Sequence, residues 1–445
     1  MMTSDKVSSK SDATTKMADD GRENKKKSKR NKNKSESKDS KASQQKQDEN
    51  KHVFAACLIF MDDTHLLPEW LAYHYQMLPL RRLIVAIDPK SVTSPTAILD
   101  RYHSRNLIDV TIWHDDDYYH DKQSMTASFM HRQNTTDDKD VAKSVYLWRQ
   151  QRFYKACMET LRDEGRSWVA MIDTDEYITR NPYVTHEQAL VNVHPTIIDM
   201  LDDASNRHND TWLHSRPCVP MSRPEYIGYD GADMAKVIDD DDDDAMSDGV
   251  RQSLPNTNNA IRSLHKSTQY SIRRGEEEEE EEERGSLNVM HDLLTYRWRS
   301  MHNILRPGKC MIDLSRIGDV DIRVGEVNPH MPIAQLCSKS HLWLYRHESA
   351  FVTNHYTGTY DQWTFRDDHR GDRTRQVWQE MIDDVNGNSN GQHRRDGDDH
   401  PMLLWLPRFV SSVGRSMALS LLVDAGDLSR YQKMMKEKKK RKQNK

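Results

Sequence analysis

Apolar and polar positions along this chain follow two regimes. From Val53 to Phe60 the run VFAACLIF is continuously apolar over strand length, the pattern of a strand covered on both faces. LLPEWLAYHYQML follows, with Leu67, Trp70, Leu71 and Tyr75 at helical spacing and Pro68 in the first turn. RLIVAID (Arg82–Asp88) predicts a second strand that ends on a carboxylate, SPTAILDRYHSR a second helix, and LIDVTIWH (Leu107–His114) a third strand. After a polar loop over 115–143, VYLWRQQRFYKACMETLRDEG predicts a long helix starting at Val145, with Gly165 as its stop. Trp168–Ile172 is then an apolar strand that runs directly into Asp173-Thr174-Asp175-Glu176. Strands and helices alternating with short joins predict an α/β fold, a mostly parallel sheet flanked by helices of the nucleotide-binding kind.

The other regime is charged and low in complexity. Residues 1–52 combine Lys, Ser, Asp, Asn and Gln with almost no aliphatic residues, and KEKKKRKQNK closes the chain. Between 229 and 286 lie the uninterrupted blocks Asp239–Asp244 and Glu276–Glu283. Blocks of one charge repel themselves and bury too little apolar surface to offset the entropy of ordering. The expected organisation is a disordered basic tail (1–52), a nucleotide-binding part (53–228), an acidic insertion (229–286), a second ordered part (287–383), a linker (384–399), a packing helix (400–430) and a basic tail (431–445). In the second ordered part, HNILRPGKCMIDLSRIGDVDI, VNPHMPI and HLWLYRHESAFVTNHYTGTYDQWTFRDD alternate short apolar runs with turn residues, as strands completing a sheet do.

Composition changes this picture little. The net charge of −5 conceals basic ends and an acidic middle, so the total does not point to a nucleic-acid partner. Five cysteines without a CxxC pair argue against a zinc site and a dense disulfide scaffold; the odd count suits buried thiols, with one or two disulfides left open. No stretch reaches the roughly 20 apolar residues of a membrane helix, and the N-terminal MMTSDKVSSKSDATTK has no apolar run resembling an export signal. The expectation is a chain without a transmembrane segment, cytoplasmic as written, or Golgi and secretory if its N-terminus is incomplete.

Candidate chemistry concentrates at the strand-to-acid junction. Carboxylates at the end of a buried strand face the crevice where open α/β sheets bind ligands. Hard oxygen ligands there suit Mn2+ or Mg2+, which bridges diphosphate oxygens. DDTH, DDDYY and RDDHR are also acidic, but Asp173-Thr174-Asp175 combines an apolar strand before it with the aromatic-isoleucine pair Tyr177-Ile178 after it. Asp88, and after the first strand Asp63 with Asp62, sit where a carboxylate accepts bonds from ribose hydroxyls; a turn role for Asp88 before Pro89 fits equally. His355 in NHYTGTYDQW is the preferred third metal ligand, with His330 in NPHMPI as rival, and Gly358 lets backbone approach a phosphate. Arg152 and Lys309 offer charge-assisted bonds to phosphate or serve internal ion pairs.

In order along the chain, EWLAYHYQM with VAID, RQQRFYKAC, WVAMIDTDEYI, GKCMIDLSRI with NPHMPI, NHYTGTYDQWTFRDD and WLPRFVSSVG resemble blocks of glycosyltransferase family 92 and related GT-A proteins, from about His52 to Gly426. The resemblance implies a GT-A-like fold. It also implies transfer of a sugar, with inversion, from a nucleotide-sugar donor (UDP- or GDP-linked) to a glycan or a protein- or lipid-linked hydroxyl. It implies Asp173, Asp175 and His355 on a divalent cation with Glu176 behind them. An inverting transferase also needs a general base near the acceptor hydroxyl, and Asp361, which closely follows His355, is the candidate. Two readings of other classes stay open: a non-catalytic interaction protein with charged tails, and another metal-dependent nucleotidyl- or phosphotransferase. The missing GxxxxGK[ST] pattern excludes only a P-loop enzyme.

Overall fold

The computed structural model describes residues 53–120, 138–181, 201, 217–228, 298–300, 308–318, 322, 330, 333, 336–337, 351–358, 376–378, 380, 405–423, 425, 433 and 436. The expected tail 1–52, insertion 229–286 and linker 384–399 lie outside them, as does nearly all of 431–445.

The apolar run becomes β1 (Phe54–Phe60), and its side chains alternate between two cores. Phe54, Ala56, Leu58 and Phe60 enter one, and Ala55 and Cys57 the other. The period of two in a strand requires that split once both faces are covered. β2 (Leu80–Ile87) and β3 (Asp109–Trp113) add to one side of β1 in parallel, and β4 (Trp168–Met171) adds in parallel to the other. β9 (Lys309–Asp313) then pairs antiparallel with β4, and β6 (Cys218–Met221) antiparallel with β9. The six-stranded order is β3-β2-β1-β4-β9-β6, so the first four strands form the mostly parallel sheet expected. Helices α1 (Leu67–Met77) and α2 (Thr96–His103) contribute Trp70, Leu71, Leu99 and Tyr102 to the first core. α4 (Asp138–Asp163), which follows the short α3 (Asp115–Tyr118), contributes Phe153, Tyr154, Met158 and Leu161 to the second.

Three details differ from the sequence reading. α4 begins at Asp138 rather than Val145, and α3 stands inside the expected polar loop, its His114 carbonyl accepting from the Asp117 N–H. The packing helix is two helices, α5 (Trp405–Val413) and α6 (Arg415–Leu422), separated at Gly414, whose φ of 84° a side chain would strain. Four of the five cysteines are disulfide-bonded, Cys57 of β1 to Cys157 of α4 and Cys218 of β6 to Cys337. Cys57 occupies an interior position of an apolar strand, so its pairing leaves no mark on the local pattern. Cys310 is the buried thiol, pushed up to about 12 by desolvation.

A second, four-stranded sheet stands after the acidic turn, in the order β5-β10-β7-β8. It consists of β5 (Glu176–Arg180), β7 (Glu225–Gly228), β8 (Trp298–Ser300) and β10 (Phe351–Gly358). β10 is buried along its whole length and pairs antiparallel with β5 and parallel with β7. Among the described residues no helix is long and apolar enough to cross a membrane.

Candidate functional site

The chain leaves β1 toward β2 and β3 on one side, while the parallel neighbour on the other side is β4. The sheet therefore has a topological switch point between β1 and β4, and ligands of open α/β sheets bind outside the carboxyl ends of the strands there. Asp62 and Asp63 follow β1, and Asp173-Thr174-Asp175 follows β4. The two acidic loops are tied together. Thr174 Oγ1 donates to Asp63 Oδ2 at 2.6 Å, and the Trp70 indole N–H donates to the Asp173 carbonyl at 3.0 Å. Asp62, at a φ of 62°, turns Oδ1 toward the Val92 and Thr93 amides at 2.7 and 2.8 Å, pinning the loop after β2 beside the crevice.

Behind the turn, four carboxylates meet two permanent cations. Lys309 Nζ, 1% exposed, lies 3.2 Å from Asp173 Oδ2 and 3.0 Å from Glu176 Oε2. Arg223 Nε donates to Glu176 Oε1 at 2.7 Å, and its Nη1 lies 3.3 Å from Glu225 Oε1. Glu176 also accepts from the Asp173 amide at 2.9 Å. Burial alone would raise the Glu176 carboxyl, but Lys309 and Arg223 outweigh it and hold it at about 2. Burial likewise works against the Lys309 ammonium, which Asp173 and Glu176 hold above its ordinary range.

His355 arrives from β10. Its Nε2 lies 3.0 Å from Asp175 Oδ2 and its Nδ1 3.5 Å from Glu225 Oε1, while the Tyr356 amide donates to the Asp175 carbonyl at 2.8 Å. Burial and Arg223 act to lower the imidazole, but Asp175 and Glu225 prevail and raise it. His330, the rival, turns Nδ1–H to the Gly308 carbonyl at 2.7 Å and is lowered by burial and by the Lys309 charge.

The structure thus brings Asp63, Asp173, Asp175, Lys309 and His355 to one crevice. Gly358, at a φ of 94°, ends β10 of the same sheet. Asp88 differs. Its Oδ2 accepts from Arg149 Nη1 at 2.9 Å and its Oδ1 from the Lys90 amide at 2.8 Å, with the side chain 1% exposed. Both oxygens are engaged within the chain, so the turn role is the one the geometry carries. Arg149 also pairs with Asp115 at 2.9 Å, and Arg152 is partly buried one turn further along α4. Lys309 serves the internal ion pair rather than facing outward to a phosphate. Asp361 lies outside the described residues. Arg223, Glu225, Thr174 and Arg149 escaped the sequence reading. The only trace of the first two is a charged pair two residues apart in SRPEY, between two short apolar runs.

The donor set fits a hard divalent cation in part. Among the described residues no three His, Cys, Asp or Glu side chains form a ready metal cage. Asp175 Oδ2 and His355 Nε2 stand 3.0 Å apart, about the spacing of adjacent ligands on an octahedral cation with bonds of about 2.1 Å. Asp173, its side chain 38% exposed, lies at the mouth. With His355 neutral, the carboxylates of Asp63, Asp173, Asp175, Glu176 and Glu225 against the cations of Lys309 and Arg223 leave a net −3, which repels an anionic diphosphate unless a cation joins it. Small hard cations are held in this way, by one or two carboxylates plus ligand phosphates rather than by an all-protein cage. No protein-family model matches the chain, and no curated protein matches it in sequence.

Proposed function

We propose that this chain is a metal-dependent glycosyltransferase of the GT-A type, similar to family 92, that moves a sugar from a UDP- or GDP-linked donor to a hydroxyl of a glycan or of a protein- or lipid-linked acceptor. The observation that carries the reading is the approach of His355 to Asp175, residues 180 apart in the chain, at the carboxyl end of β4 beside the switch point. Asp175 and His355, with Asp173 at the mouth, are the residues that hold Mn2+ or Mg2+. When bound, such a cation offsets the charge that develops on a leaving nucleoside diphosphate. Lys309 and Arg223 keep Glu176 ionised and hold Asp173 and Glu225 in place, so the site is organised before the donor arrives. Thr174 and Trp70 fix the turn against the β1 loop and α1, and Asp63 lies on the side where a ribose would rest.

The test is a panel of UDP- and GDP-linked sugars with Mn2+, read for binding by calorimetry and for products by mass. Release of nucleoside diphosphate and free or transferred sugar is the expected outcome. Release of nucleoside monophosphate would instead assign nucleotidyl or phosphoryl transfer, because a different bond is broken. A chain that binds no nucleotide sugar with Mn2+ present refutes the reading and leaves the interaction protein with charged tails.

A further inference from the structure

The second sheet sets a histidine between carboxylates. Its register pairs His355 with Glu176 across β10 and β5, and with Glu225 across β10 and β7. Register partners share a face of the sheet, so Glu176, His355 and Glu225 form one row over three strands. Within that row the two ring nitrogens have different neighbours: Nε2 is hydrogen-bonded to Asp175 Oδ2 at 3.0 Å, whereas Nδ1, buried and with no closed hydrogen bond, has Glu225 Oε1 beside it at 3.5 Å. Glu225 is itself buried and steadied by Arg223 Nη1 at 3.3 Å, while the Nε of that guanidinium holds Glu176 at 2.7 Å. One arginine therefore sets the spacing of both glutamates that flank the histidine.

A histidine that binds a cation through one nitrogen needs its proton kept on the other, and a partner that holds the ring in orientation. Resting on the function proposed above, we propose that Glu225 is a positioning residue for metal binding, accepting the Nδ1–H of His355 so that the Nε2 lone pair is directed to the cation beside Asp175. Glu225 acts through His355 and touches neither the cation nor the donor. Its own position is set by the β7–β10 register and by Arg223. Glu225→Ala removes the acceptor, whereas Glu225→Gln keeps an amide oxygen that still accepts from Nδ1–H but carries no charge.

The experiment measures Mn2+ affinity by electron paramagnetic resonance, in the presence of UDP and then GDP, for the full chain and for Glu225→Ala, Glu225→Gln and His355→Ala. Thermal unfolding of each is recorded with and without Mn2+. Glu225→Ala is expected to weaken Mn2+ binding about 10–100-fold, Glu225→Gln less, and His355→Ala at least as much as Glu225→Ala. The Glu225 variants should also gain less melting temperature from added Mn2+ than the parent. If both bind Mn2+ as tightly as the parent while His355→Ala does not, the positioning role is overturned and the proposed function stands. The positioning role is likewise overturned if Glu225→Ala lowers the melting temperature equally with and without Mn2+ at unchanged affinity, or if it loses affinity while His355→Ala does not. A parent that binds no Mn2+ with either nucleotide overturns the positioning role together with the metal reading beneath it. Should Glu225→Ala fail to fold, Glu225→Leu, which keeps the bulk but accepts no hydrogen bond, decides by the same criteria.

Discussion

The two sheets of this protein are built on opposite principles. The six-stranded sheet takes four of its strands from consecutive stretches of chain, and both its faces are apolar, with Phe54, Leu58, Val85 and Ala170 on one side and Cys57, Ile84, Val169 and Met171 on the other. The four-stranded sheet draws its strands from segments far apart and buries Glu176, Glu225, Thr353, Asn354 and His355. Burying apolar surface stabilises without any particular partner. Burying a charge costs several kcal/mol unless another group answers it. Most positions of the first sheet therefore need no particular partner, Arg82 of β2 and Lys309 of β9 being buried charges within it, whereas the acids and the histidine of the second sheet depend on partners drawn from other parts of the chain. Such an arrangement is weak evidence for stability and stronger evidence for a site.

The sharpest way to break that contrast is Glu176→Ala, which strips Lys309 and Arg223 of their shared acceptor. Leaving buried charge uncompensated costs about 3–5 kcal/mol, measurable by urea unfolding. The same group predicts an acid limb. Its carboxyl is depressed when folded, from an ordinary 4.5 to about 2, so its stabilisation is complete above the unfolded value and is lost as pH falls toward 2. The parent should lose more stability than Glu176→Ala across that window, and parallel curves would show that the acid is not held as described. Next in size, His355→Ala should weaken Mn2+ binding at least about tenfold in calorimetry with UDP or GDP present, while His330→Ala leaves it unchanged. A reversal of the two would exchange their roles. Thr174→Val removes the bond to Asp63 that joins the two acidic loops, with an expected loss of about 1 kcal/mol and weaker donor binding. The smallest effect is Ile84→Val in the second core of the large sheet, about 0.5–1 kcal/mol. That variant should leave Mn2+ affinity untouched, and a change in affinity would mean the two sheets are less separable than their chemistry implies.

Particular residues show where sequence reasoning reaches and where it stops. β1 and β4 are legible because a strand buried on both faces needs a continuous apolar run, and both runs end on acids at the ligand-binding edge. The pairing of His355 with Asp175 is foreshadowed by the apolar run before His355, the small-residue loop after it and the order of family-like blocks. Nothing local to either residue indicates an antiparallel register between segments 180 positions apart. Lys309, Arg223 and Glu225 are opaque for the same physical reason. A charged side chain beside an apolar strand reads identically whether it faces water or a buried counter-ion, and the counter-ion is chosen by strand pairing far along the chain. Arg149 illustrates this on α4, since nothing local to it in the sequence indicates that it meets Asp88 and Asp115. Gly414 alone announces nothing about the break between α5 and α6, because a glycine inside an apolar helical pattern is also tolerated without one.

The distance between Asp175 and His355 also has a meaning in time. A ribosome adding about 5–20 residues per second takes roughly 10–35 s to travel the 180 positions that separate them. During that interval β1 through β4 and α4 have been synthesised, and Cys57 and Cys157 are both available to form their cross-link. β5 waits without β10, and Glu176 waits without Lys309, which arrives only with β9. A chain arrested before residue 309 should therefore carry the link between β1 and α4, resist proteolysis across the parallel strands, and yet lack a metal-binding centre. In the life of each molecule the parallel strands exist before the centre they carry, and the two helices that complete the first core, α5 and α6, are made after it.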